Sequence, residues 1–206
     1  MSVEPFTYKH FNSSDASDAL NSLGYIGVVK GLHPVTSPAA LIGKAVPVLI
    51  APRREGYPSL RDGILGASLS ADKDSILFIV SERKEYAAFG GFLSFIAKSC
   101  GIKGVVVCGK VRDIAEIELN SIPVFAEDIT PLVPAEGQSV ISVGDPVKIE
   151  GLIVSKNDLI VADRNGVTIV PSKRVSDVAK IISLIQKREA DARLAVAEEI
   201  RKHRTF

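Results

Sequence analysis

The chain has 206 residues, of which 46% are hydrophobic and 24% are charged, and its formal net charge is +1. This balance is ordinary for one globular domain with a sizeable core, and it offers no basic footprint for nucleic acid. No apolar run is long enough to cross a bilayer, and the stretch MSVEPFTYKHF lacks a signal-peptide pattern, so we expect a cytoplasmic protein without a membrane or nucleic-acid partner.

The first part of the chain predicts a helix, a loop and a strand. Residues 12–23 have the polar start and the following glycine of a helix, which one of its first three residues caps. Residues 25–38 contain several glycines and prolines and predict a loop. Residues 45–51 (AVPVLIA) predict an apolar strand, in which Pro47 indicates an edge position or a bulge because proline has no N–H to donate. Two further elements are predicted, a helix over 57–69 and a buried strand over 75–80.

The chain is organised around residues 89–113, which read FGGFLSFIAKSCGIKGVVVCGKVRD. The pattern predicts a helix that starts after Gly90-Gly91 and stops at Gly101, followed by a β-branched strand over 104–108. The apolar residues on or near one side of this helix are Phe92, Leu93, Phe95, Ile96 and Ala97.

Both ends of this stretch carry residues that suit an anion or a metal. A helix N-terminus after Gly90-Gly91 presents free N–H groups and the positive end of the helix dipole, which favour a carboxylate or a phosphate. Arg112 and Asp113, close behind the strand, combine an anion clamp with a ligand for a hard cation. The alternatives are ordinary turn chemistry for the glycines, a solvated pair for Arg112 and Asp113, and a helix N-cap for Asp113.

The pattern becomes β-rich in the last third of the domain. The Asn165-Gly166 pair is typical of a type I′ hairpin, and Asp163 is expected to close that turn. Ser172 is expected to cap a helical tail that reaches about residue 203, and the charged part of this tail, residues 187–202, is either a separate or a projecting helix. The remaining predicted elements are a helical turn over 114–119, a strand over 123–126, a loop over 128–138 and β structure over 139–170. This order indicates the α/β class.

Three segments resemble the RraA-like family: residues 89–113, the stretch DALNSLG near the first helix, and DLIVADRNGVTIVP in the β-rich part. That family includes regulators of ribonuclease activity and class II 4-hydroxy-4-methyl-2-oxoglutarate (4-carboxy-4-hydroxy-2-oxoadipate) aldolases, and some members were formerly mislabelled demethylmenaquinone methyltransferases. The resemblance implies a swivelling β/β/α domain, as in phosphohistidine domains, over residues 1–171, with a C-terminal helical tail over 172–206. It also implies a homotrimer or a hexamer formed by two trimers.

The function implied by the resemblance is a metal-dependent aldolase that cleaves 4-hydroxy-2-oxo acids to pyruvate, with oxaloacetate decarboxylation as a side activity. Asp113 would bind Mg²⁺ or another divalent cation such as Mn²⁺, and Arg112 would face the substrate oxygens. Glu189 would reach the active site of a neighbouring subunit, although a solvated helix face explains it equally well. The residues that would donate backbone N–H groups to the 2-oxo acid substrate are Gly90, Gly91, Phe92 and Leu93.

Two positions depart from the family pattern. The best-characterised aldolases often carry an acidic residue at the position of Gly91, where it is thought to orient a catalytic water. Either another nearby acid replaces it, with Glu82 and Glu85 as candidates, or the activity differs from that of these aldolases. Cys108 stands where the family commonly has an aspartate, and we interpret it as a small buried hydrophobe.

The alternative function is a non-catalytic regulator that binds the ribonuclease E machinery. Two features favour the enzyme: the regulators lack the acid that follows the arginine, here Asp113, and they end soon after the β-rich half, before a tail such as the one that carries Glu189. A methyltransferase is excluded by the absence of a glycine-rich nucleotide loop with a following strand-end acid.

Overall fold

The computed structural model describes residues 11–37 and 39–203, so the last residue of the predicted loop, Pro38, and the outer bounds of the two predicted domains lie outside the described residues. The α-helices of this part are α1 Ser13–Ser22, α2 Leu60–Ser70, α3 Gly91–Ser99, α4 Ile114–Leu119 and α5 Val175–His203. The strands are β1 Val28–Val29, β2 His33–Pro34, β3 Leu41–Pro52, β4 Ile76–Ser81, β5 Ala87–Phe89, β6 Gly104–Val111, β7 Val124–Ile129, β8 Gln138–Val143, β9 Val147–Ile149, β10 Leu152–Val154, β11 Leu159–Asp163 and β12 Gly166–Val170. The predicted α/β class and the C-terminal helix are confirmed.

A mixed ten-stranded sheet joins most of these strands. Its order is β1-β12-β11-β3-β4-β6-β7-β2, with β5 beside β6 and β8 beside β3, while β9 and β10 form a separate hairpin. The neighbours β3, β4, β6 and β7 run parallel to one another. All six residues of β4 are buried, as expected for a parallel strand that is covered on both faces.

The two faces of the parallel strands belong to different hydrophobic clusters. Leu77 and Ile79 of β4 pack in one cluster with residues of α2, α3 and α4, whereas Ile76 and Phe78 pack in another with residues of β9, β10 and β12. Alternate side chains of a strand point to opposite faces, so this division follows from the period of two. A third cluster joins α1 and α5 to β11 and β12.

Pro47 does not lie at a sheet edge, because β3 has neighbours on both sides. One side of β3 pairs with β11 over Leu41–Lys44 and with β8 from Val48 onward, and Pro47 lies between these two partners. The missing N–H group of Pro47 costs little at the point where one partner strand, β11, gives way to the next, β8. The register of β3 against β8 also shifts between Leu49 and Ile50, which is a bulge close to the predicted one.

Three short strands lie in segments for which the sequence predicts no strand. The predicted loop over 25–38 contains β1 and β2, and β5 directly precedes Gly90. Strands of two or three residues carry too little hydrophobic period to be recognised. The predicted hairpin between β11 and β12 is confirmed, but Arg164 and Asn165 form its loop, and the positive φ of 138° falls on Gly166, which pairs with Asp163.

The helical tail begins with a 3₁₀ turn instead of a cap by Ser172. Ser172 lies inside this turn, and its backbone N–H donates to Asp158 Oδ1 at 2.8 Å. The helix α5 then continues without interruption to His203, so its charged part is a projecting helix and not a separate one. Val178 and Ile182 pack on α1, whereas residues 187–203 are exposed. The division into two units at residue 171 stays a prediction.

The apolar side predicted for α3 is only partly buried. Ile96 and Ala97 lie in the core, but Phe92 and Phe95 are each 55% exposed. Both phenylalanines lie on the outer side of the helix, so the buried side of α3 is narrower than the predicted apolar side.

Asp163 joins the hairpin to the start of α1. Its carboxylate accepts hydrogen bonds from Asn165 N at 2.8 Å and from Ser13 N and Oγ at 2.8 and 2.7 Å. The first of these confirms the predicted turn. Partial burial alone would raise the pKa of Asp163, but the hydrogen bonds that Ser13 and Asn165 donate outweigh it and hold this pKa below its usual range.

We expect Asp163→Asn to lower the free energy of unfolding by about 1–2 kcal/mol at pH 7. Because the folded-state pKa is depressed, the carboxylate stabilises the fold above its unfolded pKa of about 4, and this contribution is lost as the pH falls through the folded pKa. Denaturant unfolding at pH 7 and pH 3 measures the difference, which should shrink at pH 3. The exposed Asp72→Asn serves as the control, and an equal loss in both variants would contradict the assignment.

Candidate functional site

A cleft of about 380 Å³ opens where the parallel strands β3 and β6 end. Open α/β sheets bind ligands at this place, outside the carboxyl ends of their strands. The structure brings five of the predicted site residues into its lining: Gly90, Phe92, Leu93, Arg112 and Asp113. Four further polar residues also line it: Arg53, Ser59, Arg61 and Gln138.

Asp113 directs its carboxylate toward the glycine pair and does not cap α4. Its backbone is left-handed, with φ 57°, and its side chain makes no capping hydrogen bond. Asp113 Oδ2 instead lies 3.4 Å from Gly91 N and 3.2 Å from Arg112 Nε. The two side chains are 42% and 43% exposed, so the pair is open to solvent and to a ligand. A non-glycine residue with positive φ is uncommon and turns the chain sharply here.

The start of α3 approaches these side chains closely because residue 90 is glycine. A Cβ at this position would lie 2.9 Å from Asp113 Oδ2 and 3.0 Å from Arg112 Cγ, closer than such atoms pack. Gly90 is the N-cap residue and offers no side-chain acceptor to the first turn. The N–H groups of Phe92 and Leu93 belong to that turn, where no intrahelical acceptor exists, and they therefore suit an anion at the cleft.

Glu116 lies where a side chain at position 91 would stand. A Cβ built on Gly91 would meet Glu116 Oε2 at 1.9 Å and its Cβ at 2.7 Å. Glu116 is in the first turn of α4, three residues after Asp113, so both carboxylates lie on the side of the helix that faces the glycine pair. The Asp-x-x-Glu spacing was visible in the sequence, but its proximity to Gly91 was not.

The two acids considered as replacements at position 91 are engaged elsewhere. Glu82 pairs with Arg54 at 3.1 Å, and Glu85 pairs with Arg83 at 2.6 Å. Hydrogen bonds from its own backbone N–H and from Arg83 lower the pKa of Glu85, which makes this carboxylate a weaker base. Neither residue is part of the cleft lining, and Glu116 is not part of it either, but Glu116 lies directly against Gly91 at the start of α3.

Glu189 is remote from the cleft within its own chain. It lies on the exposed part of α5 and pairs with Arg193 at 2.9 Å, one helical turn onward. A role at an active site would therefore require a second copy of the chain.

The donor set fits a hydrated hard cation and does not fit a closed metal cage. Within residues 11–37 and 39–203, no three His, Cys, Asp or Glu side chains form a group that could hold a metal ion. Mg²⁺ is usually bound through one or two carboxylates and keeps several waters. Asp113, half-exposed and with Glu116 on the same side of α4, offers such a set of oxygens.

The comparison with known families decides the identity of the fold. Residues 13–169 match the RraA-like family, described as Aldolase/RraA. The chain belongs to the RraA-like family. This match covers most of the chain and confirms the resemblance carried by the three segments.

Relatives within the RraA-like family have different names. Protein DlpA of Legionella pneumophila is 27% identical over 90% of this chain, which spans only 30% of DlpA. A protein of Halalkalibacterium halodurans, whose name proposes it as a 4-hydroxy-4-methyl-2-oxoglutarate aldolase, is 27% identical over 86% of this chain and 78% of its own length. The crystal structure of Streptomyces coelicolor RraAS2, titled an unusual member of the RNase ES inhibitor RraA protein family, aligns with a TM-score of 0.81 at 20% identity, over 91% of this chain and 95% of RraAS2. This likeness confirms the predicted RraA-like fold.

Cys108, the other departure from the RraA-like pattern, is fully buried in β6. Burial strongly raises the pKa of its thiol, so the group remains protonated and packs as a small hydrophobe.

The described helices of this family member also lack the combination of length and apolar character that a membrane span requires.

Proposed function

We propose that this protein is a divalent-metal-dependent lyase that cleaves 4-hydroxy-2-oxo acids to pyruvate, with oxaloacetate decarboxylation as a side activity. The observation that carries the proposal is the meeting of Asp113, Arg112 and the N-terminus of α3 in one cleft. A cation ligand, a guanidinium and unsatisfied N–H groups are the three features that a 2-oxo carboxylate needs. Membership in a family that includes aldolases supports it.

The roles of the residues follow from their chemistry. The first-turn N–H groups of α3 hold the carboxylate beside the keto group, and Arg112 donates to the oxygens on which negative charge develops. Asp113 would hold Mg²⁺ or Mn²⁺, which supplies Lewis acidity toward the keto oxygen. In the cleavage, a base removes the proton of the 4-hydroxyl group, the C3–C4 bond breaks, and its electrons move onto the pyruvyl unit, which then takes a proton at C3.

Glu116 is our candidate for the acid that positions the water used in this proton transfer. Its carboxylate fills the space of a side chain at position 91, where related aldolases often have an acid. The space beside Gly91 therefore contains a carboxylate although residue 91 is not an acid. Glu116 supplies this carboxylate from α4.

We expect Glu116→Gln to lower kcat for pyruvate release roughly tenfold with little change in KM, because a misplaced water slows proton transfer but not binding. Steady-state kinetics at saturating Mg²⁺ provide the measurement. Glu118→Gln is the matched control, since residue 118 lies on the same helix but faces another direction. Equal rates in the two variants would remove Glu116 from the mechanism.

Glu189 enters the proposal only through assembly. The exposed part of α5 carries Leu194, Val196 and Ile200, which are 68%, 53% and 48% exposed. Such side chains on a projecting helix suit burial against another copy of the chain, in the proposed trimer or hexamer. In that assembly Glu189 would join the cleft of a neighbouring subunit.

A second candidate function is the non-catalytic regulator of the ribonuclease E machinery. The fold shared with RraAS2 favours the regulator. A regulator function, however, gives Asp113 no role beyond its ion pair with Arg112. Pyruvate release from a panel of 4-hydroxy-2-oxo acids, with Mg²⁺ and with a chelator, separates the two. Mg²⁺-dependent release supports the lyase, and no release from any member of the panel would reject it.

A further inference from the structure

The first carbonyl group of α3 accepts hydrogen bonds from two side chains. Gly91 O accepts from Ser94 Oγ at 2.6 Å and from Asn120 Nδ2 at 3.2 Å. The same Nδ2 group donates a second hydrogen bond to Ser94 Oγ at 2.7 Å, so the three groups form a closed triangle. In a helix the carbonyl of residue i already accepts from the N–H of residue i+4. The two side chains therefore add donors to a carbonyl that the helix itself satisfies.

This triangle lies behind the cleft and not in it. Ser94 is fully buried, Asn120 is half-buried at the end of α4, and neither residue lines the cleft. Because neither side chain can touch a ligand in the cleft, any effect on binding must pass through the backbone of α3.

One side of α4 contacts every part of residue 91. Asp113, Glu116 and Asn120 are three and four residues apart, so they lie on the same side of this helix. Asp113 Oδ2 lies 3.4 Å from Gly91 N, Glu116 fills the space of a side chain at position 91, and Asn120 holds Gly91 O. The orientation of the peptide group that follows Gly91 is therefore fixed from α4.

The carbonyl of Gly91 and the N–H of Phe92 belong to one peptide unit. This unit is planar and trans, so the two groups point in opposite directions. Phe92 lines the cleft, and its N–H is in the first turn of α3, where no intrahelical acceptor exists. Donors that hold the oxygen set the direction of this N–H. Connected hydrogen bonds also polarise one another, which makes the N–H a stronger donor.

We propose that Asn120 and Ser94 are positioning residues, which act through the Gly91 carbonyl to aim and polarise the Phe92 N–H group that binds the substrate carboxylate. This inference rests on the proposed function for the identity of that carboxylate as part of a 2-oxo acid. It gives the pair a role in binding the carboxylate and none in binding the metal ion or in proton transfer.

The experiment titrates pyruvate into the protein at saturating Mg²⁺ by calorimetry. Ser94→Ala removes the hydroxyl group, and Asn120→Leu keeps the branched shape but removes both donors. Each variant should bind pyruvate roughly threefold to tenfold more weakly and keep the Mg²⁺ affinity of wild type, which also shows that it is folded. Ser22→Ala is the control, because Ser22 Oγ donates to Ala19 O at 2.8 Å in α1, outside the cleft, and this variant should bind pyruvate as wild type does.

A double variant tests whether the two side chains act through the same carbonyl. If they do, Ser94→Ala combined with Asn120→Leu should bind pyruvate little more weakly than the weaker single variant, whereas independent effects would multiply. In steady-state kinetics, KM should rise more than kcat falls, because the carboxylate is held equally before and during the reaction. A loss of Mg²⁺ affinity, or a fall in kcat without a rise in KM, would overturn the inference in favour of a displaced α4.

The outcomes separate this inference from the proposed lyase. A wild-type protein that does not bind pyruvate, or variants that bind it as tightly as wild type, would overturn the positioning role. Pyruvate binding that both variants weaken would establish this role even if no 4-hydroxy-2-oxo acid released pyruvate, and only the lyase proposal would then fail.

Discussion

Asp113→Asn should weaken Mg²⁺ binding by at least about tenfold and lower pyruvate release by about a hundredfold or more. Asparagine keeps the shape of the side chain but removes the charge that attracts the ion. The affinity for a hydrated ion that has few protein ligands depends strongly on each charged ligand. The long contact between Asp113 Oδ2 and Gly91 N, 3.4 Å, adds little to the fold, so stability should change much less than metal binding.

Calorimetric titration of Mg²⁺ into wild type and Asp113→Asn, with 2-oxoglutarate present, measures this effect. Asp145→Asn is the control, because Asp145 is exposed on the connection between β8 and β9 and lies outside the cleft. Equal Mg²⁺ binding by wild type and Asp113→Asn, or no binding by either, would reject Asp113 as the metal ligand. The regulator hypothesis predicts this result.

Arg112→Lys should retain Mg²⁺ binding but lower kcat by roughly tenfold to a hundredfold. Lysine keeps the positive charge and loses the planar pair of donors that holds two oxygens at once. If those donors stabilise the charge that develops during cleavage, kcat falls more than KM rises. The Arg112 side chain is 43% exposed, and water screens its charge when no substrate covers it. The substitution should therefore have only a small effect on the protein without substrate.

Steady-state kinetics with a 4-hydroxy-2-oxo acid, together with Mg²⁺ calorimetry, separate the two roles. Arg54→Lys provides the comparison, since Arg54 lies beside the cleft and pairs with Glu82. A rise in KM with unchanged kcat would show that Arg112 only binds the substrate. A parallel loss of Mg²⁺ affinity would show that Arg112 orients Asp113.

The centre of the fold could be predicted because its signals are local. The helix α3, the C′ glycine at Gly101 with φ of 84°, and the strand β6 lie within one short stretch, and each follows from residue spacing. Arg112 and Asp113 are placed by the end of that strand. The helix α3 starts directly after β5, and β5 pairs with β6, so the start of α3 and the end of β6 lie at the same edge of the sheet. This is why the predicted residues at these two places share the cleft.

The missing parts of the site depend on contacts between distant segments. Gln138 enters the cleft because β8 pairs with the end of β3, a register that no local pattern specifies. Glu116 approaches Gly91 because the left-handed turn at Asp113 sets the direction of α4, and a positive φ at aspartate is not readable from the sequence. The exposure of Phe92 and Phe95 likewise depends on what α3 packs against, not on its own period.

The central strand β3 also affects how the chain is made in the cell. Its partners β4, β8 and β11 are encoded later, and β11 lies near the end of the domain. At ordinary rates of translation, roughly ten seconds separate the emergence of β3 from that of β11. Until β8 and then β11 have emerged, one side of this long apolar strand has no partner within its own chain. An unpaired apolar strand edge is prone to aggregation, so slow translation of the segment between β3 and β11 would lengthen the period in which the nascent chain carries this risk.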